Sequence, residues 1–348
     1  MTNFEQLLYE WYHLNGRDLP WRHTTDPYQI WISEVILQQT QVVQGLDYYH
    51  RFLKRFPDVF ALAGSSQDDV LKAWQGLGYY SRARNAHAAA KIIVSDYNGQ
   101  FPSEYKMIRA LPGIGDYTAA AIASFCFRLP HAVVDGNVFR FFARFFAIDT
   151  PIDTGAGKKV FFAKANELLD RKQPHLFNQA IMEFGNLVCT PSNPGCTICP
   201  LHHLCQAYSL GRVLDLPVKA KRMERKSRFL HYFILDLPDG KTLIERRNHR
   251  DIWHGLHQFP LLEVDRPVDE AAVYDFLKLQ YTEAVFQGQM VGRRKHLLTH
   301  QELHVTFWRF SVVGIVPKPS QMLISWEEIP KFAFPQLIVA FLDDCPND

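Results

Sequence analysis

The chain has 348 residues, 47% hydrophobic and 21% charged, which is material for two globular domains and excludes a disordered tail or a small module. Lys and Arg number 38 against 36 Asp and Glu, so the net charge of +2 argues for no nucleic-acid partner by itself. The longest small-apolar stretch, Thr118 to Phe127, is fenced by Asp116 and Arg128 and falls short of the roughly 20 residues that span a bilayer.

The N-terminal residues include Glu5 and Glu10 with no apolar run, so no targeting signal and no membrane contact are expected, and the cytoplasm is the default compartment. From Phe4 to about Leu210 the pattern is helical. Asp26-Pro27 supplies an N-cap followed by Pro at the first helical position, and Ile30, Trp31, Glu34, Leu37 and Gln38 then share one face. Further helices are predicted over Val70–Trp74, Arg82–Val94, Tyr117–Phe127, Val138–Phe146, Val160–Leu169 and Asn178–Val188. After Gly211 the composition changes. Lys219, Lys221, Arg222, Arg225, Lys226 and Arg228 face only Glu224, without an apolar period, which reads as an exposed basic linker over 211–228. Phe229–Leu237, a Pro238-Asp239-Gly240 turn and Thr242–Ile244 read as a hairpin. With a strand near His304–Val313 and helices near Glu270–Leu279 and Pro335–Leu342, they make 229–348 a mixed α/β domain.

Three features carry chemistry. Cys189, Cys196, Cys199 and Cys205 lie within seventeen residues, and clustered thiols inside a cell favour a metal over disulfides; ligand chemistry alone leaves zinc and an iron-sulfur cluster both open. Cys126 and Cys345 read as a buried small side chain and an incidental tail thiol. In Leu111-Pro112-Gly113-Ile114-Gly115-Asp116-Tyr117, Gly113 and Gly115 permit positive φ in a tight turn, and the amides of the following helix can receive a phosphate; a plain helix–helix connection fits the same pattern. Glu34 stands on an apolar helix face, where burial would raise its pKa toward that of a proton donor at neutral pH. Asp135 precedes Gly136-Asn137-Val138 and an amphipathic run, the position of an N-cap accepting from Asn137 or Val138.

The cysteine spacing, with Pro200 after the third thiol, resembles the 4Fe-4S loop of the endonuclease III and MutY group of DNA glycosylases. The 111–119 stretch resembles their helix-hairpin-helix, Ser33–Val42 resembles the MutY segment bearing the adenine-protonating glutamate, and Trp74–Asn85 resembles another shared motif. This resemblance implies an all-α glycosylase domain over 1–210, with a six-helix region at about 20–130 and an iron-sulfur region from 1–19 and 131–210, followed by a Nudix-like domain. It implies excision of adenine opposite 8-oxoguanine or guanine in double-stranded DNA, by a monomer with a 4Fe-4S cluster and repair-protein contacts at the linker.

Under the same resemblance Glu34 is the general acid, and Asp135, kept ionised by helix amides, stabilises the cationic sugar with Asn137 beside it. Trp21 and Arg22 hold the base, and Gln38 and Tyr79 fill the opened duplex. Tyr117 stands where bifunctional relatives carry a lysine, so reaction stops at an abasic site. Phe139 departs from a position that is polar in several bacterial relatives. No glycine after residue 228 begins a Gly-x5-Glu-x7-Arg-Glu run, so nucleotide hydrolysis by the second domain is not expected. His296-Leu297-Leu298-Thr299-His300 resembles the lesion-reading Phe-Ser-His loop, with Leu298 for Phe and Thr299 keeping the hydroxyl of Ser. Arg246, Arg247, Arg250, Arg293, Arg294 and Lys295 are expected to offer positive patches to the duplex.

Overall fold

The computed structural model describes residues 3–220 and 225–344; Lys221, Arg222 and Glu224 of the basic run, and Cys345, lie outside the described residues. In chain order the helices are α1 (Asn3–Asn15), α2 (Pro27–Leu37), α3 (Val42–Arg55), α4 (Val59–Gly64), α5 (Gln67–Ala73), α6 (Ser81–Tyr97), α7 (Tyr105–Ala110), α8 (Asp116–Phe127), α9 (Gly136–Phe145), α10 (Gly155–Leu168), α11 (Pro174–Leu187) and α12 (Gln206–Ser209). Residues 3–64 and 88–220 pack as one unit, and 65–87 pack with 225–344 as another.

In the first unit, local chemistry sets the helix ends. Asp26 Oδ1 accepts from the Tyr28 amide at 2.9 Å and Pro27 opens α2. The helix stops at Gln38, which leaves helical dihedrals, and Gln39 follows at φ +57°. Asp135 caps α9 through a 2.7 Å bond from the Val138 amide. Behind α9, Phe141, Phe142, Phe145, Phe161, Phe177 and Phe184 form one cluster with Phe4 and Leu8 of α1. Burying each such ring contributes roughly 1.5–3 kcal/mol. Phe139 joins this cluster, 5.3 Å from the Phe161 ring, so an apolar side chain is accommodated there by packing. Residues 211–220 are tied down rather than free. Leu216 is buried, and the Ile152 amide donates to Val218 O at 3.1 Å.

Asn178 is fully buried at the junction of α8, α11 and the extended segment leading to Asp135. Its Oδ1 accepts from the Val133 amide at 3.0 Å, and its Nδ2 donates to Ser124 Oγ at 2.9 Å and His131 O at 2.8 Å. A backbone with no strand partner has its hydrogen bonds supplied by one side chain.

The second unit contains β1 (Lys226–Asp236), β2 (Lys241–Arg246), β3 (His257–Gln258), β4 (Leu261–Val264), α13 (Glu270–Gln280), β5 (Val285–Leu297), β6 (Gln301–Val313), β7 (Gln321–Ser325) and α14 (Gln336–Asp344). One sheet has the order β4-β1-β6-β5 and the other β3-β2-β7. The expected hairpin is therefore corrected. β1 and β2 lie in different sheets and share only the Leu237–Lys241 bridge, because β1 pairs in parallel with β6 along its whole length, from Lys226↔Gln301 to Asp236↔Ser311. The first strand also starts at Lys226, inside the span read as linker. Arg228 on it binds Asp251 and Glu263, which compensates its burial. α14 closes one core through Phe341, stacked 3.8 Å from Phe307, and α13 closes the other through Val273 and Leu277.

Asn178→Ala should destabilise the protein by about 1–3 kcal/mol, the cost of leaving buried backbone groups unpaired. Urea unfolding followed by far-ultraviolet circular dichroism measures it, and a change below about 0.5 kcal/mol would remove Asn178 from this role.

Candidate active site

One face of α2, the start of α8, the N-terminus of α9 and the middle of α11 surround a cavity of ≈ 590 Å³ lined by Trp21, Arg22, Glu34, Tyr117, Asp135, Asn137 and Glu183, among others. Six of these seven are residues singled out in the sequence.

Glu34 is 6% exposed. Burial pushes its carboxyl up to about 7, against a hydrogen bond from the Tyr117 hydroxyl and helped by the nearby charge of Asp135. The Tyr117 hydroxyl, buried against the same two carboxyl groups, is held well above its usual value and stays a donor. Asp135 differs from expectation. Burial pushes it above the ordinary carboxylate value although the amides of Val138 and Asn137, the Asn137 side chain and Arg140 all pull it down. The N-cap bonds are present, but removal from water outweighs them.

Asn137 Nδ2 donates to Asp135 Oδ2 at 2.8 Å, and Asn137 Oδ1 accepts from Arg140 Nη2 at 2.8 Å. Gly185 of α11 makes room for this arrangement, since a Cβ there would come within 2.8 Å of Asn137 O. The same Arg140 donates through Nε to Cys189 O at 2.7 Å and through Nη2 to Gly185 O at 2.6 Å.

The lining also holds a charged cluster that the sequence did not reveal. Glu183 is 2% exposed and receives Arg17 Nε at 2.7 Å, Arg17 Nη2 at 2.6 Å and Arg22 Nη2 at 2.8 Å. Burial pushes Glu183 up, but these bonds more than reverse it and carry it to about 2. Trp21 is buried with its ring edge-on to Tyr49 at 5.2 Å, and shares the wall with Arg22. The sole local hint of this cluster is Glu183 itself, a carboxylate among apolar residues in a predicted helix.

Gln38 lies at the C-terminal end of α2, where its Nε2 donates to Thr118 Oγ1 of α8 at 3.3 Å. At the hairpin between α7 and α8, Gly113 and Gly115 are exposed, but only Gly113 has positive φ, +75°. Gly115 is extended and is the N-cap of α8. Cys189, Cys196, Cys199 and Cys205 form no disulfide and line one small pocket of ≈ 30 Å³, walled by Phe141, Phe145, Phe184 and Leu201. Among the described residues no group of three or more His, Cys, Asp or Glu is drawn into metal-holding geometry. The donor set nonetheless suits a thiophilic centre, and Arg144 Nη1 donates to Cys189 Sγ at 3.5 Å.

In the second unit Tyr79, Thr299 and His300 line a cavity of ≈ 700 Å³ with Trp253 and His296. Thr299 and His300 occupy the tip between β5 and β6. The proposed positive patches are largely neutralised. Arg247 is buried against Asp251 and Glu263, Arg246 meets Asp68 at 2.7 Å, Arg294 meets Asp344 at 2.9 Å and Lys295 meets Glu302 at 2.8 Å. Arg250 and Arg293 are exposed, and of these residues they are the ones left to present positive charge.

Residues 32–164 match the HhH-GPD superfamily of base excision DNA repair proteins, and residues 231–344 match the NUDIX domain. The adenine DNA glycosylase of Buchnera aphidicola subsp. Baizongia pistaciae (strain Bp) is 35% identical over 303 residues, 87% of this chain and 84% of that one. The chain belongs to the adenine DNA glycosylases. As such it is a base-excision-repair enzyme acting on N-glycosidic bonds. A thermostable thymine-DNA glycosylase is similar with a TM-score of 0.54 and 28% identity, covering 60% of this chain and 95% of that one. Endonuclease III in a non-covalent DNA complex shares the fold at a TM-score of 0.52 and 21% identity, covering 61% of this chain and 99% of that one. No helix among the described residues of the glycosylase is long and apolar enough to cross a membrane.

The elevated carboxyl of Glu34 has a stability consequence with a definite sign. Its folded value lies above the ordinary 4.5, so its contribution is most favourable below pH 4.5 and is lost as pH rises to about 7. Glu34→Gln, neutral throughout, should gain stability over the parent across that interval and level off about 3 kcal/mol ahead above pH 7. Urea unfolding at pH 5 and pH 8 reads the difference, and an equal gap at both pH values contradicts the burial of a charge-prone carboxyl.

Proposed function

We propose that the enzyme removes adenine paired with 8-oxoguanine or guanine in double-stranded DNA and stops at an abasic site. The observation that carries this reading is the pair of carboxyl groups, Glu34 and Asp135, facing one cavity with Glu34 held near neutrality. Two carboxyl groups in different environments divide the roles of acid and anion. The extruded adenine enters against Trp21 and Arg22. Protonated Glu34 gives its proton to N7, the glycosidic electrons leave with the base, and the sugar becomes oxocarbenium-like beside Asp135. That developing positive charge itself favours the Asp135 anion, offsetting the effect of burial. Water adds to C1′ and returns a proton to Glu34. Tyr117 donates to the Glu34 carboxylate and Asn137 to Asp135, keeping each in place.

Tyr117 offers no amine, so no Schiff base forms and the strand is left uncut. The exposed hairpin at Gly113 and Gly115 holds a phosphate, Gln38 and Tyr79 fill the space left by the flipped base, and Thr299 with His300 reads the oxidised partner. The protein acts as a cytoplasmic monomer, and the basic run at 219–228 offers contacts to repair partners. Cys189, Cys196, Cys199 and Cys205 hold a 4Fe-4S cluster, which cross-links the loop from 189 to 205 when bound. The similar thymine-DNA glycosylase covers 60% of this chain, whereas the adenine DNA glycosylase relative covers 87% of it, which favours the adenine reading.

Single-turnover excision from an adenine:8-oxoguanine duplex should succeed, and Glu34→Gln should slow it at least ~100-fold, the lower end of general-acid catalysis. The rate should fall about tenfold for each pH step above about 7 as Glu34 loses its proton. Undiminished excision by Glu34→Gln rejects the assignment. For the cofactor, protein purified without oxygen should be brown with broad visible absorbance, and Cys199→Ser should bleach it. Colourless protein containing zinc would favour the other metal.

A further inference from the structure

The hairpin between α7 and α8 carries an anion at the place where a phosphate would have to come. Asp116 is the first residue of α8, beside the N-cap Gly115, and its side chain is 67% exposed. A carboxylate there is drawn to the unpaired amides and the positive end of its own helix, the same groups that a phosphate needs. In this protein it is turned back toward α7. Arg109, in the last turn of α7, donates through Nε to Asp116 Oδ1 at 2.6 Å and through Nη1 to Ile114 O at 3.0 Å. One guanidinium thus holds the carboxylate and the backbone between the two glycines at once. The Tyr105 hydroxyl, one turn earlier on α7, meets the same carboxylate, and the Tyr105 ring is itself fixed by stacking on His131 at 4.3 Å. An exposed ion pair of this kind contributes little to folding. What it decides is the charge that an approaching ligand meets.

We propose that Arg109 is a positioning residue for the hairpin: it holds Asp116 off the α8 amides, so that a built-in rival anion does not take the place of a DNA phosphate. This deepens the function proposed above and rests on its reading that the hairpin holds a phosphate; the restraint on Asp116 does not. With the pair intact the two charges cancel and the amides stay open. Without Arg109 a released carboxylate competes for them and repels the phosphate. Without Asp116 the guanidinium is released and adds attraction. Removing both restores neutrality with no rival left. A guanidinium that touched the phosphate itself would differ in one respect, since removing Asp116 could not repair its loss.

The test uses the full-length protein with Arg109→Ala, Asp116→Asn and the double variant, and reads affinity for a fluorescein-labelled undamaged duplex by anisotropy at low salt. Arg109→Ala should weaken binding about fivefold, the effect of one exposed unit charge near a phosphate, and Asp116→Asn should tighten it by about the same factor. The double variant should return to within about twofold of the parent, and both single effects should shrink as salt rises. Lys164→Ala, which removes the cation of an exposed pair with Glu167 on α10, controls for a general loss of positive charge and should change affinity by less than about twofold. Without DNA, hydrogen–deuterium exchange at the amides of 116–118 should slow about threefold in Arg109→Ala as the released carboxylate meets them. Faster exchange there would mean a lost brace and overturns the proposal. A double variant as weak as Arg109→Ala overturns it too, by making Arg109 a phosphate ligand. Gly113→Val, strained at φ +75°, tests the underlying reading. If it weakens binding while the Arg109 and Asp116 variants bind like the parent, the hairpin holds a phosphate and this proposal falls alone. If Gly113→Val also binds like the parent, both fall.

Discussion

A carboxyl group withdrawn from water is the constraint on which the catalytic unit is built. Glu34 could have been satisfied by a cation, as Glu183 is, and would then be an inert anion at neutral pH. Its immediate partner is instead a phenol, which restrains the group without fixing its charge, and of the two charges acting on it the second carboxyl, which resists its ionisation, outweighs Arg22, which favours it. One cavity therefore holds three carboxyl groups in three conditions. Glu183 is pinned as an anion by two guanidiniums, Glu34 is poised near neutrality, and Asp135 is half-buried and hydrogen-bonded on both oxygens. The differences come from neighbours, since all three are nearly or partly removed from solvent.

Holding Asp135 requires more than its own helix. α9 begins where an extended segment ends, and that segment has no sheet to join. Asn178 serves its backbone from one side, and Gly185 lets α11 approach Asn137 closely on the other. Arg140 then spans Asn137, Gly185 and Cys189, and Arg144, one turn later on α9, donates to Thr190 O at 2.7 Å and Pro191 O at 3.0 Å. The loop bearing the cysteines and the N-cap of α9 are thus two ends of one hydrogen-bonded assembly in which both arginines donate mainly to backbone carbonyls.

What the sequence shows and what it hides follow from the range of the interactions. The α2 cap, the amphipathic faces, the Asp135 cap and the positions of α8, α9 and α11 depend on residues within about four of one another, and Asp26-Pro27 or Asp135-Gly136-Asn137 can be read directly. The Arg17–Glu183–Arg22 cluster joins residues more than 160 apart, and no local spacing announces it. The failed hairpin has the same origin: Phe229–Leu237 and Thr242–Ile244 carry the right composition and turn, but β1 finds a longer partner in β6, which lies over sixty residues downstream. Cationic runs mislead for a related reason. Arg228 and Arg246 look solvated in sequence because their carboxylates, Asp251, Glu263 and Asp68, come from other segments.

The second unit matches the NUDIX domain, and its charged groups are largely engaged with one another. Without the glycine-led acidic run of a Nudix hydrolase, its charged centre is a closed network in which Arg228 and Arg247 share Asp251 and Glu263, and Gln258 links Arg247 to Glu245. Carboxylates already neutralised by guanidiniums are poor ligands for a hard cation, because the ion would have to displace two buried positive charges. The accessible polar groups lie elsewhere, at the tip between β5 and β6 and on the 76–79 turn, which 65–87 brings onto the same unit. The ion pairs hold the sheets, and neutral hydroxyls and rings that make no permanent ion pair are left to meet whatever enters the cavity.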